Sequence, residues 1–191
     1  MPLINKTKKI IALAIGVFIT VNLQSCERDD ICAASTATTP RLIIEFYDVT
    51  STEDLKSVPR LTAYGEGLVT DPNEETNPDL LLAFNENLNA LELPLIIENE
   101  DIEVTSRFIL ERDSNLRLDE DDTTDSNIDI IDVSYIPEFE YVSRACGYKT
   151  IFTNLTVNVD TDDDSDPWIS NIIVDVETIE NENTVHVRIL H

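Results

Sequence analysis

The chain has 191 residues, with 38 acidic and 13 basic side chains, a net charge of −25 and 42% apolar residues. So large an acidic excess argues against nucleic-acid binding, whose affinity comes from neutralising phosphates with Lys and Arg, and against a domain lying flat on an anionic membrane. The apolar share is too high for a disordered acidic tail, and the length predicts one domain.

The first element along the chain is a leader. Lys6, Lys8 and Lys9 precede an apolar run from Ile10 to Val21. That run is shorter than the about 20 residues of a membrane-spanning helix. A charged start, a short apolar core and small closing residues read as a secretory signal. Its end, Leu23-Gln24-Ser25-Cys26, resembles a bacterial lipobox, in which the cysteine sulfur takes a diacylglycerol and a peptidase cuts just before it. Residues 1–25 are therefore expected to be a cleaved lipoprotein signal peptide, with Cys26 as the lipidated residue. Residues 26–39 are expected to form a lipidated tether, and 40–191 a single β domain. Two acyl chains on the glycerol meet the two-signal requirement for stable anchoring, so the membrane is an expected partner through this lipid.

Past the tether the apolar pattern has a period of two. Leu42, Ile44 and Phe46 alternate with Ile43, Glu45 and Tyr47. Residues 51–57 offer a single helical turn, and 84–97 are ambiguous between helix and strand, with Pro94 opposing a long helix. Alternation resumes at Ile102, Val104, Phe108 and Leu110, then at Ile131, Val133 and Tyr135. In "IFTNLTVNV", Ile151, Leu155, Val157 and Val159 are expected on one face and Asn154, Thr156 and Asn158 on the other. Ile172, Val174 and Val176 follow, then Val185, Val187 and Ile189. Turn-forming runs at 70–78, 112–115, 119–127, 160–167 and 181–183 separate these segments. The pattern predicts an all-β fold, an antiparallel β-sandwich or partly closed barrel of about 7–9 strands.

Three cysteines occur, and lipidation accounts for Cys26. Cys32 and Cys146 can then pair in an oxidising compartment, closing a long loop worth roughly 4–5 kcal/mol in the chain-entropy model. The rival assignment makes Cys146 a nucleophile activated by His186, with Arg144 and Lys149 as the positive surroundings a thiolate needs.

The run "DTDDDSDPW" places Asp160, Asp162, Asp164 and Asp166 at alternate positions. Hard Ca²⁺ takes six to eight oxygens, so these four are candidate calcium ligands, joined by the acidic loop at 119–125. An EF-hand would need Gly at 165 and Glu at 171, where Ser165 and Asn171 stand, and the alternative is a solvated loop between strands. Trp168 either stacks on a sugar or caps the core. Gly16, Gly65, Gly67 and Gly147 are the only glycines, too few and too scattered for a dinucleotide or P-loop fingerprint. No GxSxG, HExxH or CxxC can be written.

Several passages, "CERDDIC" with "RLIIEFYD", then "VPRLTAYG", "SRACGYKTIFTNL" and "WISNIIVDVETIENENTVHVRILH", together resemble an uncharacterised family of Bacteroidota lipoproteins, a domain of unknown function. The resemblance spans most of the chain after the leader and puts the family's recurrent cysteines on Cys32 and Cys146, which implies that they pair. It implies no activity and no catalytic residue. It bears on location, since Glu27, Asp29 and Asp30 look like an acidic export signal to the cell surface, interrupted by Arg28. The alternative is a tether facing the periplasm.

The function expected is that of a membrane-anchored envelope lipoprotein acting as a binding or structural display module. Its location would be the outer membrane, on the periplasmic face or the cell surface, and its partner an envelope protein or glycan. The alternative is a Ca²⁺-dependent or carboxylate-based hydrolase acting on envelope or environmental polymers. Such an enzyme should gather acids with Cys146, His186 or Trp168 in one pocket.

Overall fold

The computed structural model describes residues 31–33, 36, 38–70, 72, 79–119, 123–161 and 166–191. The leader, Cys26 and its acidic neighbours, Asp162 and Asp164 lie outside the described residues. Within them are ten strands: β1 (Leu42–Asp48), β2 (Ser51–Leu55), β3 (Val58–Gly65), β4 (Leu81–Leu88), β5 (Ala90–Leu93), β6 (Val104–Arg112), β7 (Asn127–Ser143), β8 (Gly147–Asp160), β9 (Asn171–Val174) and β10 (Val187–Leu190). One helical turn, Asn115–Leu118, interrupts them. Among the described residues no helix is long and apolar enough to cross a membrane.

The strands form two sheets that share one core. The first runs β2-β1-β10-β9, with β5 also paired to β1. The second runs β4-β3-β6-β7-β8. Leu42, Ile44 and Phe46 from β1 are fully buried, as the alternation predicts, and face Leu110 from β6 and Ile131, Val133 and Tyr135 from β7 in one cluster. The β-branched and aromatic residues alternate inward along strands whose other face is polar. The sheets do not close into a barrel.

Four features depart from the sequence reading. Ten strands replace about 7–9, because short segments without apolar alternation also pair. The clearest is β2, exposed along its whole length, which adds to the edge of β1 through Tyr47 and Leu55 where a helical turn was expected. The first sheet is mixed, not antiparallel: β1 and β10 run parallel, with Ile44 opposite Val187 and Phe46 opposite Ile189. Ile102 is exposed and precedes β6. In β8 the phase slips. Phe152 is fully buried instead of Ile151, and Leu155 and Val157 are buried beyond it. Two inward residues three positions apart require a bulge between them, and Asn154, with φ of 55°, supplies it.

Buried polar groups lock the ends of the second sheet. The carboxylate of Asp129 on β7 accepts the backbone N–H groups of Trp168 (3.2 Å) and Ile169 (2.8 Å), holding the segment after β8 against the sheet. At the bulge in β3, where Arg60 has φ of 48°, Thr62 Oγ1 accepts the N–H of Asn85, and its own hydroxyl donates to Ser114 Oγ. Ser114 in turn donates to the Arg60 carbonyl. These bonds satisfy backbone groups that the bulge removes from the ladder.

The chain divides into two compact units. The β body comprises 37–141 and 148–191, and the hairpin tip 142–147 groups with the residues up to 36.

Candidate functional site

In the smaller unit, Cys32 and Cys146 are disulfide-bonded, with Cα atoms 4.7 Å apart. The Cys146 N–H donates to Ser143 Oγ at 3.0 Å. With its sulfur bonded to Cys32, Cys146 is not a thiolate nucleophile in this structure. His186, its expected activator, has both ring nitrogens occupied in the body. Nδ1 accepts the Ile43 N–H (2.9 Å), which leaves Nε2 to donate to the Asn181 carbonyl (3.0 Å). Burial pushes its pKa down. The ring ties β1 to the segment before β10, a structural position that alternation alone does not reveal.

Trp168 is a core residue. It packs against Phe46 and His191, and its indole N–H donates to the Leu110 carbonyl at 3.3 Å. Its ring is therefore not a platform for a sugar, and the core-cap expectation describes its place.

Of the four candidate calcium ligands, Asp162 and Asp164 fall outside the described residues. Asp160 ends β8 and forms an ion pair with Arg107. Asp166 is exposed, and its backbone carbonyl accepts from Asn127 Nδ2 at 2.9 Å. Among the described residues no group of three or more His, Cys, Asp or Glu side chains is arranged to hold a metal.

The body has a groove of about 430 Å³ that none of these residues lines. β3 ends at Gly65, and a tight turn with Gly67 at φ of 76° brings Leu68 to its rim. Leu80 and Leu82 enter from the start of β4, Leu95 and Ile96 from the segment after β5, and Phe108 from β6. Leu68 and Ile96 are 63% and 51% exposed, so apolar surface faces solvent at the mouth. The floor is rigid. Tyr135 OH donates to the Ile96 carbonyl (2.9 Å), so Ser106 donates its hydroxyl to the phenol oxygen (2.6 Å). Burial pushes the Tyr135 phenol up, keeping it a donor.

Arg107 stands at one side of the groove. Directly across the ladder lies Asp132, which accepts from Nε at 2.7 Å, while Glu66 pairs with Nη1 at 3.1 Å and Asp160 with Nη2. Three acids share one guanidinium, so the site does not present a free cation to an anionic ligand. Its size and lining suit a small apolar group or the side chains of a partner, within the range of preformed ligand sites. The run ending Leu95-Ile96-Ile97 is the signal in the sequence: successive apolar residues that strand alternation cannot bury together.

A family model described as "Family of unknown function (DUF6452)" matches residues 63–191, from within β3 to the end of β10, and the chain belongs to that family. No curated protein and no solved structure matches the chain.

Proposed function

We propose that this member of a family without an assigned activity is a lipid-anchored envelope protein whose β body acts as a binding or display module. Cys26 would carry the lipid, in keeping with the lipobox-like leader and the likeness to Bacteroidota lipoproteins. The body would stand at the outer membrane, on the cell surface or the periplasmic face. An envelope protein or glycan is the partner class in view.

The observation that supports binding is the groove. It is apolar and open at Leu68 and Ile96. The hydrolase alternative needs carboxylates left to act on a substrate, whereas Glu66, the acid that lines the groove, pairs with Arg107, as do Asp132 and Asp160.

The test is retention of an envelope component by the full chain, compared with Leu68→Asp and Ile96→Asp. Both positions are exposed, so the fold should survive. Loss of retention in both variants with unchanged circular dichroism is the expected result, and equal retention would remove the groove from the proposal. Protease shaving of intact cells separates the two faces, since survival of the protein would place it inside. Calcium would be a ligand of the acidic loop through Asp160, Asp162, Asp164 and Asp166. A rise in melting temperature at millimolar calcium is the expected sign, and no shift would sink it.

A further inference from the structure

β7 and β8 continue past the core. Along β7, residues 129, 131, 133, 135 and 137 are buried in strict alternation. Phe139 and Tyr141 lie on that same face, yet they are 41% and 57% exposed. On β8, Thr150 and Phe152 are buried, and Tyr148, of the same parity, is 69% exposed. Pairing of β7 with β6 stops at Tyr135. The inward face of the hairpin thus extends beyond what covers it, and its last three residues on that face are aromatic. Tyr141 and Tyr148 pack edge to face, with centroids 5.4 Å apart.

Covalent connections say what lies near. Tyr141 and Tyr148 directly flank the tip 142–147, and Cys146 in that tip is bonded to Cys32. Cys32 lies six residues after Cys26, a chain that spans at most about 22 Å when extended. An acyl anchor on Cys26 therefore keeps the hairpin end close to the bilayer, whose interface favours Tyr rings with an apolar body and a polar edge. Charge agrees. In a chain of net charge −25, the stretch 138–149 is neutral, Glu138 and Glu140 being balanced by Arg144 and Lys149. The hairpin end's own side chains thus add no net repulsion toward a membrane surface, and among the described residues the one outside carboxylate bonded to it, Glu100, accepts the Phe139 N–H at 3.1 Å.

We propose that Phe139, Tyr141 and Tyr148 rest in the headgroup layer of the membrane that holds the anchor, with the Cys32–Cys146 bond clamping the tether to that end. The proposal rests on acylation of Cys26.

The test uses the full acylated chain carrying Tyr148→Trp, reconstituted in phosphatidylcholine vesicles whose lipids are brominated near the carbonyl end. Buried Trp168 in the unsubstituted chain gives the baseline. A roughly twofold loss of the added emission is expected for an interfacial ring. The mass of the N-terminal peptide reports acylation independently. An acylated chain with unquenched emission overturns the membrane contact alone, and the uncovered face then belongs to another partner or a second copy. A peptide without acyl groups overturns both the contact and the anchor. Reduction of the disulfide, with circular dichroism unchanged, should weaken the quenching, and persistence at full strength would overturn the clamp.

Discussion

Strand β6 holds two arginine–carboxylate groups four residues apart, and they differ in what surrounds them. At position 111 the acid is on the strand and fully buried. Glu111 accepts from Arg117 Nε at 2.7 Å and Nη2 at 3.1 Å, and from Ser126 Oγ. At position 107 the arginine is on the strand, on the outer face, with three acids around it and solvent access to all four side chains. Burial decides what each contributes. A desolvated carboxylate must keep its partners or destabilise the fold, whereas exposed pairs are screened and contribute little. The more crowded cluster is therefore the less important one for stability, and it is free to shape the groove's electrostatics instead.

The largest effect expected is at the buried end. Glu111→Ala should lower stability by about 3 kcal/mol, the low end for a broken buried pair because Arg117 keeps some solvent contact. Denaturant unfolding measures it, and the loss should be insensitive to salt. Tyr64 lies close enough that Glu111 adds to burial in pushing its phenol up, so the variant should also bring tyrosine titration closer to normal. Asp129→Asn is next. It replaces one of the two carboxylate oxygens that hold the Trp168 and Ile169 N–H groups, and should cost about 1–3 kcal/mol. A red shift of Trp168 emission would report loosening of that segment, and an unchanged spectrum with unchanged stability would show that the two bonds are dispensable.

A smaller effect comes from His186. Burial depresses its folded pKa below the ordinary value, so the unfolded chain binds more protons in the window beneath about 6.5. The stability from the neutral ring is complete above that value and falls as pH drops through it toward the folded pKa. Relief of repulsion among 38 acids acts the other way on acidification, so the bare pH profile hides this slope. His186→Asn keeps an acceptor for the Ile43 N–H and removes the titration. The difference between the two proteins should therefore narrow from pH 7 toward pH 5, and a constant difference would rule out the ring as the source.

The core was legible wherever one face of a strand is buried, because side-chain direction repeats every second residue. Leu42, Ile44 and Phe46 are examples. It was illegible where the backbone breaks that period. Nothing in the apolar pattern marks Asn154 as left-handed, so the inward assignment of Ile151 passed to Phe152. Pairing was also hidden. β1 and β10 lie side by side although more than a hundred residues separate them in sequence, and alternation names a face without naming a neighbour. The groove escaped for a related reason. Leu68, Leu80, Ile96 and Phe108 come from four separate segments, and none is unusual alone. The acidic loops drew attention through composition, yet Asp160 is engaged by an arginine 53 residues away, a partner no local motif could indicate.

Arg107→Ala is expected to have the smallest effect on stability and is the sharpest test of the contrast along β6. It leaves Glu66, Asp132 and Asp160 facing one another without their shared cation, so the destabilisation is mainly repulsive and takes place in contact with water. At low ionic strength the melting temperature should fall slightly. At 1 M salt the Debye length shrinks to about 3 Å, and the variant should melt with the unsubstituted protein. Glu111→Ala should show no such recovery, because its penalty lies in desolvation and lost hydrogen bonds. If the Arg107 defect were large and persisted in high salt, the outer cluster would be a structural clasp across β6, β7 and β8, and the distinction between the two ends of the strand would fail. If it vanishes as expected, the cluster's remaining role is to set the charge at the groove's edge, where any change in binding by this variant can be read without a folding defect.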